Sequence, residues 1–167
     1  ATLLAVQDIN ARTDLLPNTS LLLAMRDSRC EQGFALVGTH HLLTDAFDGL
    51  GCDALVGAGC SSASAAAALY ASHYKTPQVS PSSTSPSLSD IDEYPYFART
   101  APSDEVQAFA LVDLIELELR ANFVAIASST DTYGAWGSAV LKAEAQLRGL
   151  HVLASVTFAS DATDFAE

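Results

Sequence analysis

Short apolar segments alternate along this chain with segments of helical spacing, and that alternation restricts the fold more than any other feature. Apolar residues three and four positions apart predict helices over residues 1–11, 31–47, 62–74, 104–119 and 133–149. Short apolar runs between them predict strands over residues 20–28, 52–59, 76–80, 123–129 and 151–158. Strands that alternate with helices lie parallel in one sheet, which the helices cover. We therefore predict an α/β fold in which a parallel sheet carries helices on both faces.

Acidic residues strongly outnumber basic ones. The chain has 20 Asp and Glu against eight Lys and Arg, which gives a net charge of −12. Such a field repels nucleic acids and anionic lipid surfaces, so we predict no nucleic-acid partner. No apolar run approaches the roughly 18 residues that a membrane-spanning helix needs.

The motifs of metal and nucleotide sites are missing from the sequence. Its three cysteines lack the C-x-x-C spacing of a zinc site. The stretch GAGCSS lacks the third glycine of the dinucleotide motif, and no G-x-x-x-x-G-K-[ST] occurs. We predict neither a metal nor a cofactor.

Signals of catalysis are equally sparse. No G-x-S-x-G is present, and His41 falls on the apolar stripe of its helix, which predicts a core histidine rather than a base. Asp131 and Tyr133 follow a strand without a paired acid or a metal ligand. Two such side chains make a binding wall more readily than a catalytic centre, so we predict that the chain is not an enzyme.

The stretch GAGCSSASAAA, residues 57–67, joins a predicted strand to a predicted helix. Gly57 and Gly59 allow a tight turn, and the first turn of the helix leaves N–H groups unpaired at its positive end. With a hydroxyl from Ser61 or Ser62, the turn is suited to a small carboxylate or phosphate. The alternative is that one of these serines only caps the helix.

A second hydroxyl-rich turn follows the next predicted strand. Ser82, Ser83 and Thr84 begin a serine- and proline-rich segment, 82–96, which we predict to be a long loop. Ligands of open parallel sheets lie beyond the carboxyl ends of the strands. Both turns are therefore expected side by side at that edge of the sheet, which we call the rim. The alternative for this segment is an ordinary solvated loop.

Several phrases of the sequence, taken in order, resemble a known family. They are VQDINARTDLLPN, RDSRC, GAGCSSASA, SPSSTSPSLSD, YPYFARTAPSDEVQA and SSTDTYGAWG. Together they are similar to the extracellular ligand-binding region of class C G-protein-coupled receptors, and most of all to the gamma-aminobutyric acid type B group. The resemblance implies a bilobed, type I periplasmic-binding-protein-like fold, which bacterial branched-chain amino-acid-binding proteins share.

The resemblance also implies roles for individual residues. Ser61, with Ser62 beside it, resembles the serine that takes the ligand's α-carboxylate. Thr84, with Ser82 or Ser83, resembles the loop that meets the carboxylate and the ammonium. Asp104 resembles an acidic contact of the ammonium, although a charge at the start of a helix explains it equally well. Tyr133 resembles a second-lobe tyrosine that closes over the ligand.

Two modifications are expected. Cys30 and Cys60 resemble a bridged pair of the family, which leaves Cys52 as the odd thiol. Asn18 begins the triplet Asn18-Thr19-Ser20, a glycosylation sequon in a polar turn, which points to the secretory route.

In the resemblance, residues 1–121 are lobe one without its first strand, and residues 122–167 are a truncated start of lobe two. The implied function is capture of a small amino-acid-like ligand between the lobes of a cell-surface receptor, with closure as the signal. The implied partners are a second receptor chain, docked through the lobe-one helices over residues 34–47 or 63–72, and a transmembrane signalling module. The alternative is a periplasmic substrate-binding protein of a branched-chain amino-acid transporter. Ligand identity is left open.

Overall fold

The computed structural model describes residues 2–159, apart from the side chain of Thr132. Six helices lie at the predicted places along this part of the chain, with the helix predicted over 31–47 divided in two. They are α1 (Thr2–Ala11), α2 (Gln32–Thr44), α3 (Ala46–Gly49), α4 (Ser61–His73), α5 (Glu105–Asp113) and α6 (Thr132–Leu147). A π-helical segment, Leu114–Glu118, continues α5 to the end of the predicted helix.

The strands are parallel, as predicted, and form two sheets within the described residues. The first contains β1 (Leu55–Val56), β2 (Gln78–Ser80) and β3 (Phe97–Arg99) in that order. The second pairs β4 (Phe123–Ser129) with β5 (His151–Phe158). Strand β3 was not predicted, because three residues after a long loop are too few to show an alternating pattern.

The strand predicted over residues 20–28 is wrong. No strand forms there, and Leu22 and Met25 are 70% and 66% exposed. Instead, both backbone polar groups of Leu21 pair with the side-chain amide of Asn10, at 2.8 and 2.9 Å. A β-strand forms only where its backbone hydrogen-bonds to a neighbouring strand. In the described part of the chain β1 pairs only with β2, so residues 20–28 do not add a strand to that sheet.

The prediction of a core histidine is also wrong. His41 is partly exposed, and its Nδ1 lies 2.6 Å from Asp45 Oδ2, one helical turn further on. The apolar stripe of α2 that is buried runs through Ala35 and Leu43 instead. Because α2 is short and apolar on several sides, the spacing alone did not identify its inner face.

Small residues bring α4 close to the first sheet and its loops. Five alanines of the helix are buried. Ala65 and Ala68 pack with Leu88 and Tyr94 from the long loop, while Ala71 packs with Leu43 and Leu55. The long loop is thereby part of the core, and it contains a 3₁₀ turn, Pro86–Ser89.

A third apolar cluster joins α5, α6 and β5. Val112, Ala145 and Leu150 are its buried members. Beside it, Arg148 pairs with Asp113 and Glu144, at 2.5 and 2.7 Å. These contacts join the C-terminal ends of α5 and α6. None of the helices in residues 2–159 is long and apolar enough to cross a membrane.

Candidate functional site

The turn from β1 to α4 has the loose backbone that its sequence predicts. Gly57 has φ +119°, a backbone conformation that residues with a Cβ rarely adopt. Cys60 is the N-cap residue, and no side chain caps the helix. Ser61 is buried, and its Oγ accepts a hydrogen bond from the Ser85 N–H at 3.1 Å. The capping alternative for Ser61 is therefore wrong; the half-buried Ser62 follows it in the first turn.

A group of buried serines ties the two hydroxyl-rich turns together. The carbonyl oxygen of Ala58 accepts from Ser80, Ser64 and Ser83, at 2.7, 3.0 and 3.3 Å. Ser83 also donates to Ser64 Oγ at 2.8 Å, and it is only 1% exposed. The two turns thus share one rim, as predicted, and Ser83 is not part of a solvated loop.

The remaining predicted serine of the loop is on the surface. Ser82 is exposed, and its Oγ donates to the carbonyl oxygen of Gly59 at 3.0 Å. This bond closes the rim from the solvent side. Ser82 and Ser83 therefore hold the rim together from opposite sides.

The predicted disulfide is present. Cys30 and Cys60 are bonded, with their Cα atoms 5.4 Å apart, and Cys52 is free. The bridge anchors the residues before α2 to the N-cap of α4. Partial burial raises the pKa of the Cys52 thiol.

Asp104 lies at the start of α5, but its carboxylate does not cap that helix. Thr84 Oγ1 donates to Asp104 Oδ2 at 2.7 Å, and the Asp104 N–H donates to the Thr84 carbonyl at 2.9 Å. The aspartate is 8% exposed, and its Oδ1 is buried without a hydrogen-bond partner. A carboxylate oxygen in that state has an unmet acceptor.

Tyr133 stands opposite this carboxylate on the first turn of α6. Partial burial raises the pKa of its phenol, and the negative charge of Asp104 raises it further. The helix begins close to β4 because Gly134 has no side chain: a Cβ there would lie 2.3 Å from Ser129 Oγ. Asp131 caps the helix by accepting from the Gly134 N–H at 2.9 Å.

One organising residue was missed by the sequence analysis. The Arg99 guanidinium, at the end of β3, donates to the carbonyl oxygens of Ser85 and Ser83, at 2.7 and 3.3 Å, and to Ser89 Oγ. It fixes the backbone on both sides of Thr84. A single arginine after an unpredicted strand carries no pattern, so only the fold identifies it.

A cleft of about 310 Å³ opens between α5, β4 and α6, and Asp104 and Tyr133 are among its lining residues. The rim serines do not line it. Within residues 2–159, no three His, Cys, Asp or Glu side chains cluster in a way that could hold a metal ion. The lining of the cleft is mostly apolar, and the polar side chains in it are Asp104, Gln107, Ser128, Ser129, Tyr133 and Ser138.

The family model described as the receptor family ligand binding region matches residues 1–167. The chain belongs to this family of receptor ligand-binding regions. It is 33% identical over 164 residues to the human extracellular calcium-sensing receptor and 32% identical over 155 residues to metabotropic glutamate receptor 4 of Macaca fascicularis. It is 40% identical over 97 residues to the probable metabotropic glutamate receptor mgl-1 of Caenorhabditis elegans.

These alignments cover 90%, 82% and 58% of this ligand-binding region, but only 15%, 17% and 10% of the respective relatives. The chain thus spans less than a fifth of the curated relatives that it matches. They are receptors and not enzymes, which agrees with the sequence prediction, and they support the resemblance to class C receptors. A particular affinity to the gamma-aminobutyric acid type B group stays a prediction.

Proposed function

We propose that this ligand-binding region belongs to a cell-surface receptor of the G-protein-coupled type and captures a small amino-acid-like ligand between two lobes. The observation that carries the proposal is the Asp104 carboxylate. Thr84 fixes one of its oxygens, the buried Oδ1 has no hydrogen-bond partner, and the Tyr133 phenol of α6 interacts with the carboxylate. An ammonium group would supply the missing donor and neutralise the charge, which makes an amine-bearing ligand the best match.

The ligand's carboxylate is assigned to the start of α4. The N-cap residue Cys60 makes no side-chain cap, so the N–H groups of the first turn, which form the positive end of the helix dipole, can bind an anion. Ser61 uses its oxygen as an acceptor from Ser85, which leaves its hydroxyl proton for a carboxylate. Ser85 directly follows Thr84, so the two ends of an α-amino acid have adjacent binding groups.

Closure of the lobes is proposed as the signal. Residues 1–121 and 122–167 are assigned to lobe one and lobe two. The separation of the β1-β2-β3 sheet from the β4-β5 sheet supports two lobes, and α5, which precedes the assigned boundary, packs on α6 and β5. Thr84 and Asp104 precede the boundary, and Tyr133 follows it. A ligand that contacts all three is bound more tightly when the lobes are closed, and this difference in affinity drives closure.

A dimer through lobe one is proposed on the outer faces of α2 and α4. Five residues line a shallow apolar groove there, namely Leu36, Ala66, Leu69, Tyr70 and His73. The inner alanines of α4 are buried against the long loop and the first sheet, so they are not available to a partner. Of the two helix faces expected from the sequence, the outward ones are the candidates.

The extracellular face of the plasma membrane is the proposed location, with a transmembrane module elsewhere in the protein that contains this chain. One relative is named an extracellular calcium-sensing receptor, and Asn18 is exposed, as glycosylation requires. The disulfide agrees with an oxidising compartment. The transporter alternative is not favoured, because the relatives are receptors.

The test is titration calorimetry of the whole protein that contains this chain, with a panel of amino acids. Asp104→Asn is expected to weaken the best ligand by about tenfold or more, since a charged hydrogen bond is lost. Ser61→Ala is expected to weaken it several-fold. Asp92→Asn removes the same charge from an exposed site in the long loop and is the matched control. If no amino acid binds, the proposal fails.

A further inference from the structure

One buried side chain of the first sheet is polar where its neighbours are apolar. Gln78, at the start of β2, is only 1% exposed. Its partners in the parallel register are Leu55 of β1 and Phe97 of β3, and both pack against alanines of α4. An apolar residue would therefore suit this face of the sheet, because burying an amide there costs free energy.

The amide of Gln78 reaches the turn that precedes α4. Its Nε2 donates to the carbonyl oxygen of Gly57 at 2.7 Å and to that of Ser64, in the first turns of α4, at 3.4 Å. Its Oε1 is buried without a hydrogen-bond partner. A buried amide that is only half satisfied lowers the stability of a fold, so stability alone does not explain its presence.

The next carbonyl of the same turn is also held from inside the protein. The oxygen of Ala58 accepts from the hydroxyls of Ser80, Ser64 and Ser83, which are all buried. Together with the Gln78 amide, these hydroxyls bond two successive carbonyls of the turn. The backbone of the turn is therefore fixed in one orientation.

That orientation determines where the following N–H group points. In a planar trans peptide, the N–H points away from the C=O. The Ala58 oxygen is directed at the buried serines, so the Gly59 N–H is directed to the opposite side, and Gly59 is exposed. Within residues 2–159 this N–H has no hydrogen-bond partner. It is therefore available to an anion at the start of α4, which begins at Ser61.

We infer that Gln78 is a positioning residue of the ligand site. With the buried serines, it holds the carbonyls of Gly57 and Ala58 inward and thereby presents the Gly59 N–H, beside the first turn of α4, to the carboxylate of an α-amino acid. The inference rests on the proposed function, because it takes the place of the carboxylate from it. It adds one donor to the ligand, the Gly59 N–H, and one residue that acts on the site without touching the ligand.

Gln78→Met is the first test variant, because methionine has a similar size and shape but no hydrogen-bond donor. Leu43→Ala is the control. Leu43 is also buried and packs with Leu55 and Ala71, but it contributes no hydrogen bond to the turn. The cavity that Leu43→Ala leaves lowers the stability. Both variants are thus destabilised, but only Gln78→Met releases the carbonyl of Gly57.

The experiment is calorimetry of the whole protein that contains this chain, with three pairs of compounds. They are L-glutamate and 4-aminobutanoate, L-leucine and 3-methylbutylamine, and L-phenylalanine and 2-phenylethylamine. The second compound of each pair lacks only the α-carboxylate and is called the amine below. The pair whose amino acid binds the wild type most tightly is used for the variants. In the wild type, the amine is expected to bind about tenfold or more weakly.

In Gln78→Met, the amino acid is expected to bind about tenfold more weakly, while the amine stays within about threefold of the wild type. The reason is that only the carboxylate loses an aligned donor. Leu43→Ala should leave both affinities within about threefold. Circular dichroism checks that each variant is folded.

Ser80→Ala is the second variant, and it applies even where Gln78→Met does not fold. It removes the shortest of the bonds to the Ala58 oxygen, and the expected result is again a weaker amino acid, by about threefold or more, with an unchanged amine.

Equal losses for the amino acid and the amine, or an unchanged amino-acid affinity in both variants, overturn the positioning role and leave the proposed function standing. Where the amine binds too weakly to measure, Leu43→Ala decides: a loss confined to Gln78→Met supports the role, and the same loss in Leu43→Ala overturns it. If none of the three amino acids binds the wild type, the proposed function fails as well.

Discussion

At the scale of single residues, Tyr94 shows how burial couples the fold to pH. The ring packs with Ala65, Ala68 and Leu88, and the residue is only 6% exposed. Burial raises the pKa of its phenol to about 12, with a further contribution from the neighbouring Glu93. In the unfolded chain the pKa is about 10.

Because the folded pKa lies above the unfolded one, the neutral phenol stabilises the fold fully below pH 10. This stabilisation is lost as the pH rises from about 10 to about 12, and it amounts to roughly 2 kcal/mol. Urea unfolding at a series of pH values measures the free energy of unfolding. In Tyr94→Phe, this free energy is expected to decline less steeply between pH 10 and pH 12 than in the wild type. An equal decline in the variant would show that the phenol does not titrate in the way described.

Some site residues could be predicted from the sequence, and others could not. Ser61 and Thr84 follow strands in hydroxyl-rich turns, so their position on one rim could be inferred before the structure. Arg99 and Ser85 hydrogen-bond to residues of that rim, but they are single residues without a spacing pattern. The role of Asp104 was equally open, since a carboxylate at a helix start is ordinary; the structure shows that it bonds Thr84 instead of capping.

At the scale of elements, α4 depends on small side chains along its inner face. Ala68 is almost fully buried and contacts the cluster of the long loop. Ala68→Leu is expected to lower the free energy of unfolding by about 1–3 kcal/mol, because the added methyl groups have no space. Ala66→Leu makes the same change on the outer groove of this helix and should stay within about 0.5 kcal/mol.

Chemical denaturation of the two variants measures the difference. Equal stabilities would mean that the inner face of α4 is loosely packed.

The same helix illustrates what a pattern can reveal: a run of alanines predicts close approach to a neighbour but not which side approaches. The apolar run over residues 20–28 failed as a strand for a related reason, because hydrogen bonding to a neighbouring strand is not encoded in local hydrophobicity.

At the scale of the whole molecule, the disulfide links the segment before α2 to the start of α4. Cys30 and Cys60 are 30 residues apart, and closing a loop of that size in the unfolded chain is worth about 3–4 kcal/mol in the chain-entropy model. Reduction is therefore expected to lower the denaturation midpoint clearly. Cys52→Ser should keep this response, since Cys52 is free, whereas the Cys30→Ser, Cys60→Ser double variant should lose it.

The α/β class and the parallel strand order were predictable because helices and strands alternate along the chain. The separation into a β1-β2-β3 sheet and a β4-β5 sheet was expected only through the family resemblance, since periodicity does not distinguish one sheet from two. The cleft between α5 and α6 was not predicted at all. It arises from packing between segments that are distant in sequence, where Gly134 lets α6 start close to Ser129.

The central claim is that Asp104 receives the ammonium of an amino-acid ligand. The most direct measurement compares, by calorimetry on the whole protein, the best amino acid with the carboxylic acid that lacks only its amino group. In the wild type, the deaminated compound is expected to bind about tenfold or more weakly. In Asp104→Asn, this difference should shrink to within about threefold, because the carboxylate that reads the ammonium is gone. A difference of the same size in both proteins would contradict the account.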